Sequence, residues 1–292
     1  MYFYPMQEPV FSSFVPTTLN CRGRLVSIQT PIVMGIINIT PDSFHAGNRF
    51  GDPEGIRQRA EKMLSDGATF LDIGGYSTRP GADDVPEAEE IRRVLLAVET
   101  ILKHFPDALL SIDTFRSNVA RQAIDAGAVL VNDVSGGLLD EAMFKTVAEL
   151  QVPYILMHMR GTPQTMAGLN QYENLVTEVI DELLSRVTLA REAGIKDIIL
   201  DPGFGFAKNA DQNYELLAQA EAFGIFGLPL LIGLSRKSMV WKKLGIPPSE
   251  ALNGTTVLNT IALQKGASIL RVHDVREAME TIQIMQWLNR YN

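Results

Sequence analysis

Short apolar runs alternate with amphipathic stretches along most of the chain. The runs occupy positions 33–40, 70–75, 109–114, 129–134, 153–158, 197–202, 229–234 and 269–274. Each is bounded by turn or polar residues. Consecutive apolar positions of this length predict strands buried on both faces, as in a parallel sheet. Between the runs the period changes. Val176, Ile180, Leu183, Val187 and Ala190 recur at spacings of four, three, four and three, which is one face of a helix. Ala278, Ile282, Met285 and Leu288 predict a second such face near the C-terminus.

Four of the predicted helices end alike, just before a run. The joints are Asp66-Gly67-Ala68, Ala126-Gly127-Ala128, Ala193-Gly194-Ile195 and Lys265-Gly266-Ala267. Glycine suits the left-handed position that closes a helix, so the recurrence marks helix-to-strand joints of one repeating architecture. Eight runs alternating with eight helical regions predict an α/β fold, a closed (β/α)8 TIM barrel, in a single domain over residues 31–292. A doubly wound open sheet is the alternative. No GxGxxG loop follows the first run, which counts against a dinucleotide-binding version of it. Residues 1–30 stand apart as an N-terminal extension. Positions 18–30 alternate and contain Arg22, Gly23 and Arg24, which predicts a short hairpin that plugs the barrel bottom.

Composition narrows the class. Among 292 residues, 46% are hydrophobic and 21% charged, the balance of a soluble globular protein. The net charge is −8 and basic residues form no stripe, so nucleic acid is not an expected partner. Cys21 is the only cysteine, which excludes an internal disulfide and a zinc-type cysteine cluster. No apolar run approaches the ~20 residues of a membrane helix. The first residues lack the basic and apolar regions of a secretory signal. A cytoplasmic enzyme with no membrane partner is expected.

The chemistry concentrates where the runs end. The first ends at Asn38, the second carries Asp72, the third Asp113 and the fourth Asn132 and Asp133. The fifth ends in His158 and the sixth in Asp201. The seventh leads into Ser235, Arg236, Lys237 and Ser238, and the eighth holds Arg271 and His273. One aspartate after a strand is usually a cap or turn former. Eight strands ending this way imply convergence at the C-terminal face, where barrel active sites lie. Arg271 and His273 are two apart and share a face. With Lys237, expected to open the next helix, they predict an anion site after strands seven and eight. Asp113, Asn132 and Asp201 supply acids and an amide on the other side, suited to a flat heterocycle with several N–H donors. The loops 40–47 and 77–82, rich in glycine, proline and small polar residues, are expected to close over a substrate.

These residues carry a resemblance. NITPDSF at 38–44, DIGGYSTRPG at 72–81, SIDT at 111–114, VND at 131–133, LMHM at 156–159, DPGFGF at 201–206, SRKS at 235–238 and RVHDV at 271–275 resemble the dihydropteroate synthases, in that family's order. The resemblance implies that Asp113, Asn132, Asp201 and Lys237 hold a pterin ring, with Met157 lining the pocket and Asp72 below it. It assigns Asn38, Arg271 and His273 to a diphosphate, with Asn38 also a Mg2+ ligand. Phe44, Thr78, Arg79, Pro80, Phe206 and Ser238 match the 4-aminobenzoate site. Asp113, Asp201, Lys237, Arg271 and His273 are the implied catalytic set. The implied substrates are a dihydropterin diphosphate and 4-aminobenzoate, with sulfonamides as competitive analogues, and the implied assembly is a homodimer.

The chain departs from the family twice. His45, Ala46 and Gly47 stand where Ser-Asp-Gly is frequent, and Tyr76 where many members have Glu. A methyltetrahydrofolate:corrinoid methyltransferase would share the acid–amide clamp but would not need Arg271, His273 and Lys237. A phosphate-binding aldolase would want a lysine within a strand, and none of the eight runs has one. A non-catalytic paralogue is the remaining rival, and the intact set of matched residues counts against it.

Overall fold

Alternation of side-chain direction along each strand decides what faces the barrel axis. The computed structural model describes residues 14–39, 52–77, 84–288 and 290–291. Its first two strands, β1 (Thr17–Cys21) and β2 (Arg24–Ile28), pair antiparallel as a hairpin. Arg22 (φ 54) and Gly23 (φ 87) form the left-handed turn that a two-residue hairpin requires. The next eight strands are β3 (Ile32–Asn38), β4 (Phe70–Gly74), β5 (Leu109–Asp113), β6 (Leu130–Asp133), β7 (Tyr154–Met157), β8 (Ile198–Asp201), β9 (Leu230–Ile232) and β10 (Ala267–Val272). They close a parallel barrel in chain order, with β10 pairing β3 to complete the ring.

Around it lie α1 (Pro53–Ser65), α2 (Glu87–His104), α3 (Ser117–Asp125), α4 (Met143–Leu150), α5 (Leu175–Glu192), α6 (Ala210–Ala218), α7 (Ser238–Leu244), α8 (Leu252–Gln264) and α9 (Val275–Leu288). The eight predicted helical regions become nine helices among the described residues, because β9 is followed by both α7 and α8. The four glycine joints behave as expected. Gly67, Gly127, Gly194 and Gly266 have φ between 95 and 118, and each donates its amide back into the helix it ends. In α5 the apolar stripe is inward except that Ile180 is only partly buried. In α9 the stripe fails at its end. Ala278, Ile282 and Met285 are buried, but Leu288 is half exposed, because the helix runs past the edge of the barrel surface it covers.

The barrel interior has two chemically different levels. At the lower one, every strand contributes an apolar side chain: Met34, Phe70, Leu109, Leu130, Ile155, Ile199, Leu231 and Ile269. Leu19, Cys21, Val26 and Ile28 of the hairpin pack into the same cluster, so the hairpin seals the N-terminal end as the sequence pattern predicts. Residues offset by one, such as Leu71 and Ile73 on β4 or Leu110 and Ile112 on β5, face the helices and form the main core. Two residues further along from the lower apolar level stand Asp72, Ser111, Asn132, Asp201 and Arg271. The period of two that fills the bottom with hydrocarbon thus delivers the polar set to the opposite end.

Candidate active site

Strand register brings the polar side chains together. Ile36 pairs Asp72, Asp72 pairs Ser111, Asp113 pairs Asn132 and Met157 pairs Asp201. Asp72 is fully buried, and its Oδ2 accepts from Asn132 Nδ2 at 2.9 Å and from Arg271 Nε at 2.6 Å. Arg271 Nη2 donates to Asp113 Oδ2 at 2.6 Å. Gly74, between Asp72 and the mouth, keeps this space open. A Cβ there would stand 3.7 Å from the Asp113 Cβ and 3.4 Å from Asn38 Oδ1.

The expectation of cations on one side and acids on the other is corrected by this geometry. Barrel closure sets β10 beside β3, so Arg271 reaches across the interior and neutralises the acids of β4 and β5. One guanidinium serves two carboxylates. Burial pushes Asp113 up to about 7 against the pull of Arg271, and the charge of Asp72 adds to the rise. Burial alone would lower the Arg271 guanidinium, but Asp72 and Asp113 hold it above its ordinary value.

Asp201, at the end of β8, accepts from the Gly203 amide at 2.8 Å through Oδ1. Burial raises its carboxyl, and Lys237 opposes the rise. Lys237 precedes α7, as predicted. Its ammonium turns back to donate to the Phe204 carbonyl and lies 5.2 Å from the centre of the Phe206 ring. Burial pushes it down to about 8. His273 follows β10. Ser235 Oγ accepts from the His273 amide at 3.1 Å and lies 3.0 Å from His273 Nδ1. A hydroxyl that donates to Nδ1 leaves the Nε2 proton on the other edge of the ring, a tautomer inferred from the bonding. Burial, reinforced by Arg271, pushes His273 down to about 4, so the ring is neutral near pH 7.

A cavity of about 460 Å³ opens above this set. Asn38, Ser235, Lys237, Ser238, Arg271 and His273 line it, with Tyr76 and Met166 on its wall. Met157 is buried with Met159 and Met166 in an apolar cluster that Phe206 joins. Phe44, Thr78, Arg79 and Pro80, and the loop segments 40–47 and 78–82, lie outside the described residues.

Three of the residues that the sequence places at or just after strand ends serve the scaffold instead. Asp133 accepts from the Ser135 and Gly137 amides at 2.7 and 2.8 Å and from the Tyr154 hydroxyl at 2.6 Å, which shapes the loop after β6. His158 is buried between Glu182 and Lys208. Arg236 forks onto Asp274 with both bonds at 2.9 Å and ties the loop after β9 to the end of β10.

Glu90, Lys208 and the partners of Tyr76 escaped sequence reasoning. Glu90 is fully buried, accepting from Thr114 Oγ1 and Arg116 Nη1 at 2.6 Å each. Its signal was present, since it falls on the stripe that Val94, Ala97 and Ile101 continue. Tyr76, where the chain departs from the family, joins Asp84 at 3.1 Å and receives Gln164 Nε2 at 2.8 Å. Nothing in the local pattern pointed to Lys208.

A (β/α)8 barrel in which three cationic or neutral donors line one cavity, with acids and an amide beneath it, is a small-molecule enzyme of the heterocycle- and anion-binding kind. Comparison with known proteins agrees. Residues 34–273 match the family model described as pterin binding enzyme. The dihydropteroate synthase of Escherichia coli (strain K12) is 40% identical over 270 residues, 92% of this chain and 95% of that protein. A crystal structure of Yersinia pestis dihydropteroate synthase with a sulfonamide drug superposes with a TM-score of 0.88 at 40% identity, covering 94% of this chain and 100% of the other. The Xanthomonas albilineans dihydropteroate synthase with 4-aminobenzoic acid gives 0.87 at 38% identity, over 94% and 98%. The chain belongs to the pterin binding enzymes and, within them, to the dihydropteroate synthase family.

Proposed function

We infer that this protein condenses (7,8-dihydropterin-6-yl)methyl diphosphate with 4-aminobenzoate, giving 7,8-dihydropteroate and diphosphate, a transferase step of folate biosynthesis. The observation that carries the reading is the meeting, at one barrel mouth, of Asp113, Asn132 and Asp201 with Lys237, Arg271 and His273.

The acids and the amide suit the N–H and C=O edges of a pterin, with Met157 against its face. The bond between the pterin methylene carbon and the diphosphate oxygen breaks first, and its electron pair leaves on the oxygen. Carboxylates at Asp113 and Asp201 accept from ring N–H groups and so stabilise the electron-poor methylene left behind. Arg271, through the Nη1 that the acids leave free, and His273 Nε2 donate to the departing oxygens. The arylamine nitrogen of 4-aminobenzoate then bonds to the methylene and releases its proton. The amine is already neutral at pH 7, so its placement by Phe206 and Ser238, with Phe44, Thr78, Arg79 and Pro80 from the first two loops, matters more than a strong base. Sulfonamides would occupy the same place.

Among the described residues no group of three acids, histidines or cysteines converges to hold a metal. The donor set fits Mg2+ that arrives with its substrate. Such an ion keeps waters and takes phosphate oxygens, needing little from the protein, and Asn38 offers one amide oxygen on the cavity wall. When bound, Mg2+ would neutralise diphosphate charge. No described helix is long and apolar enough to cross a membrane. A cytoplasmic setting fits the single, buried, unpaired cysteine. A homodimer fits the exposed Ile284, Trp287 and Leu288 on α9 beside Val257 on α8.

The test is a two-substrate assay with Mg2+. Diphosphate and dihydropteroate should appear together only when the pterin diphosphate and 4-aminobenzoate are both present. Absence of 4-aminobenzoate-dependent product from folded protein would sink the reading.

A further inference from the structure

Lys208 lies in the loop between β8 and α6 and is 9% exposed. A lysine is almost never that buried unless it is paired. Its Nζ lies 2.9 Å from His158 Nδ1, 3.1 Å from the Gly203 carbonyl and 3.1 Å from the Phe206 carbonyl. An ammonium has three N–H donors and no acceptor. Three acceptors therefore saturate it. On the far side of the imidazole, His158 Nε2 lies 3.0 Å from Glu182 Oε2. That carboxylate accepts the Nε2 proton, which leaves the Nδ1 lone pair facing Lys208. Arg160 Nε donates to the other Glu182 oxygen at 2.9 Å. Burial lowers the Lys208 ammonium to about 7, with the Asp201 charge opposing the drop, and it is the protonated form that satisfies all three acceptors. Burial, reinforced by the Lys208 charge, lowers His158 to about 4, consistent with a neutral ring.

The loop that Lys208 holds turns through left-handed backbone. Gly203 (φ 73) and Gly205 (φ 81) take it at no steric cost, but Ala207 (φ 49) does not. A non-glycine residue held there persists only where its surroundings over-determine it. A Cβ at Gly203 would stand 2.0 Å from the His158 carbonyl oxygen, so the loop sits directly on the end of β7. Its other polar groups are also taken: the Gly205 amide donates to Asn213 Oδ1 at 2.6 Å, and the Ala207 carbonyl accepts from the Tyr172 hydroxyl at 3.0 Å. Lys208 differs in binding two carbonyls on either side of Phe204 and Gly205 from inside the turn. It fixes where the segment carrying Phe206 stands relative to Lys237, without lining the cavity itself.

We propose that Lys208 is a positioning residue for the second substrate, holding Phe206 in place through its bonds to His158 and to the Gly203 and Phe206 carbonyls. The proposal rests on the reading of Phe206 as a 4-aminobenzoate contact. Asp201 stands on β8 itself, paired with Met157 of β7, so its placement depends on the strand more than on the loop, and the effect falls mainly on the second substrate.

The experiment compares steady-state kinetics of the wild type, Lys208→Met, Phe206→Ala and the double variant, with thermal melts of each. Lys208→Met should raise the KM for 4-aminobenzoate about tenfold or more, the size expected for a lost charged hydrogen bond. The KM for pterin diphosphate should change far less. In the Phe206→Ala background the same substitution should add little, because residues that act through one another are non-additive. Lys208→Arg, which keeps the charge, should recover part of the 4-aminobenzoate KM. Equal rises in both KM values, or full additivity with Phe206→Ala, would overturn the proposal and leave Lys208 as general scaffold. If Phe206→Ala itself leaves the 4-aminobenzoate KM unchanged while turnover persists, the contact assignment fails and takes the proposal with it. Should Lys208→Met not fold, Glu182→Gln tests the same chain from its far end. The expected result is a smaller rise with the same substrate selectivity, and a non-selective rise counts against the proposal.

Discussion

Arg271 joins the two halves of the site. Its Nε and Nη2 are committed to Asp72 and Asp113, while the proposed diphosphate calls on the same guanidinium. Arg271→Ala should therefore act twice. Turnover should fall about 10–150-fold through loss of a charge-assisted bond to the leaving group. Stability should fall by roughly 3–5 kcal/mol, because two buried carboxylates lose their cation. Adding Asp72→Asn should restore stability and leave turnover low. Denaturant unfolding and kinetics of the single and double variants check this, and recovery of both together would show that Arg271 only balances charge. Asp201 is likewise double-sided. Its Oδ1 accepts from Gly203, so the bland role of a turn former is real. Asp201→Asn keeps an oxygen for that bond but puts a donor where ring N–H groups need an acceptor. Calorimetry should show pterin-analogue binding collapse with little change in melting temperature. Normal affinity would remove Asp201 from the pterin contacts.

At the scale of elements, the loop after β9 and the start of α7 decide how Lys237 works. A residue on the entry to α7 can point back across the strand ends, and here it meets Phe204, Phe206 and Asp201. Burial lowers its ammonium to about 8. The donor is the protonated form, so it is present below about pH 8 and lost as pH rises through that value. The kcat/KM for pterin diphosphate, which reports the free enzyme, should fall on that alkaline limb. Lys237→Arg keeps its charge to far higher pH and should abolish the limb, at a lower plateau. A pH–rate series on both proteins decides it, and an unchanged limb in the variant would assign the titration elsewhere. His273 is already neutral in this range, so it contributes no step there.

The described residues form a barrel sealed at one end by a hairpin, with a polar cavity at the other. Exposed apolar side chains are scattered over its surface, Leu25, Leu184, Leu189 and Ile225 among them, and α8 and α9 together present Val257, Ile284, Trp287 and Leu288. Exposed apolar side chains grouped on adjacent helices mark an association surface. Trp287→Glu should convert the expected homodimer to monomer. Light scattering coupled to size exclusion reads the mass directly, and a mass unaffected by the substitution would place the interface elsewhere.

Local physics made the barrel legible. Apolar runs, a stripe of period near 3.6 and four glycines at helix ends each need only neighbours in the chain, and each became the predicted element. The position of Asp72, Asn132, Asp201 and Arg271 at the ends of their runs also pointed to one end of the barrel without knowledge of the partner strands. What stayed hidden depends on closure. Arg271 and Asp72 are 199 positions apart, and Lys208 and His158 are 50. No period in the sequence links such pairs, because side chains across a barrel meet through the curvature and stagger of the sheet. The sequence by itself determined where the strands and helices lie and at which end of the barrel the charges gather. The tertiary structure decided which charge neutralises which, since pairing in a low-dielectric interior turns on distances of a few ångströms that only the closed ring sets.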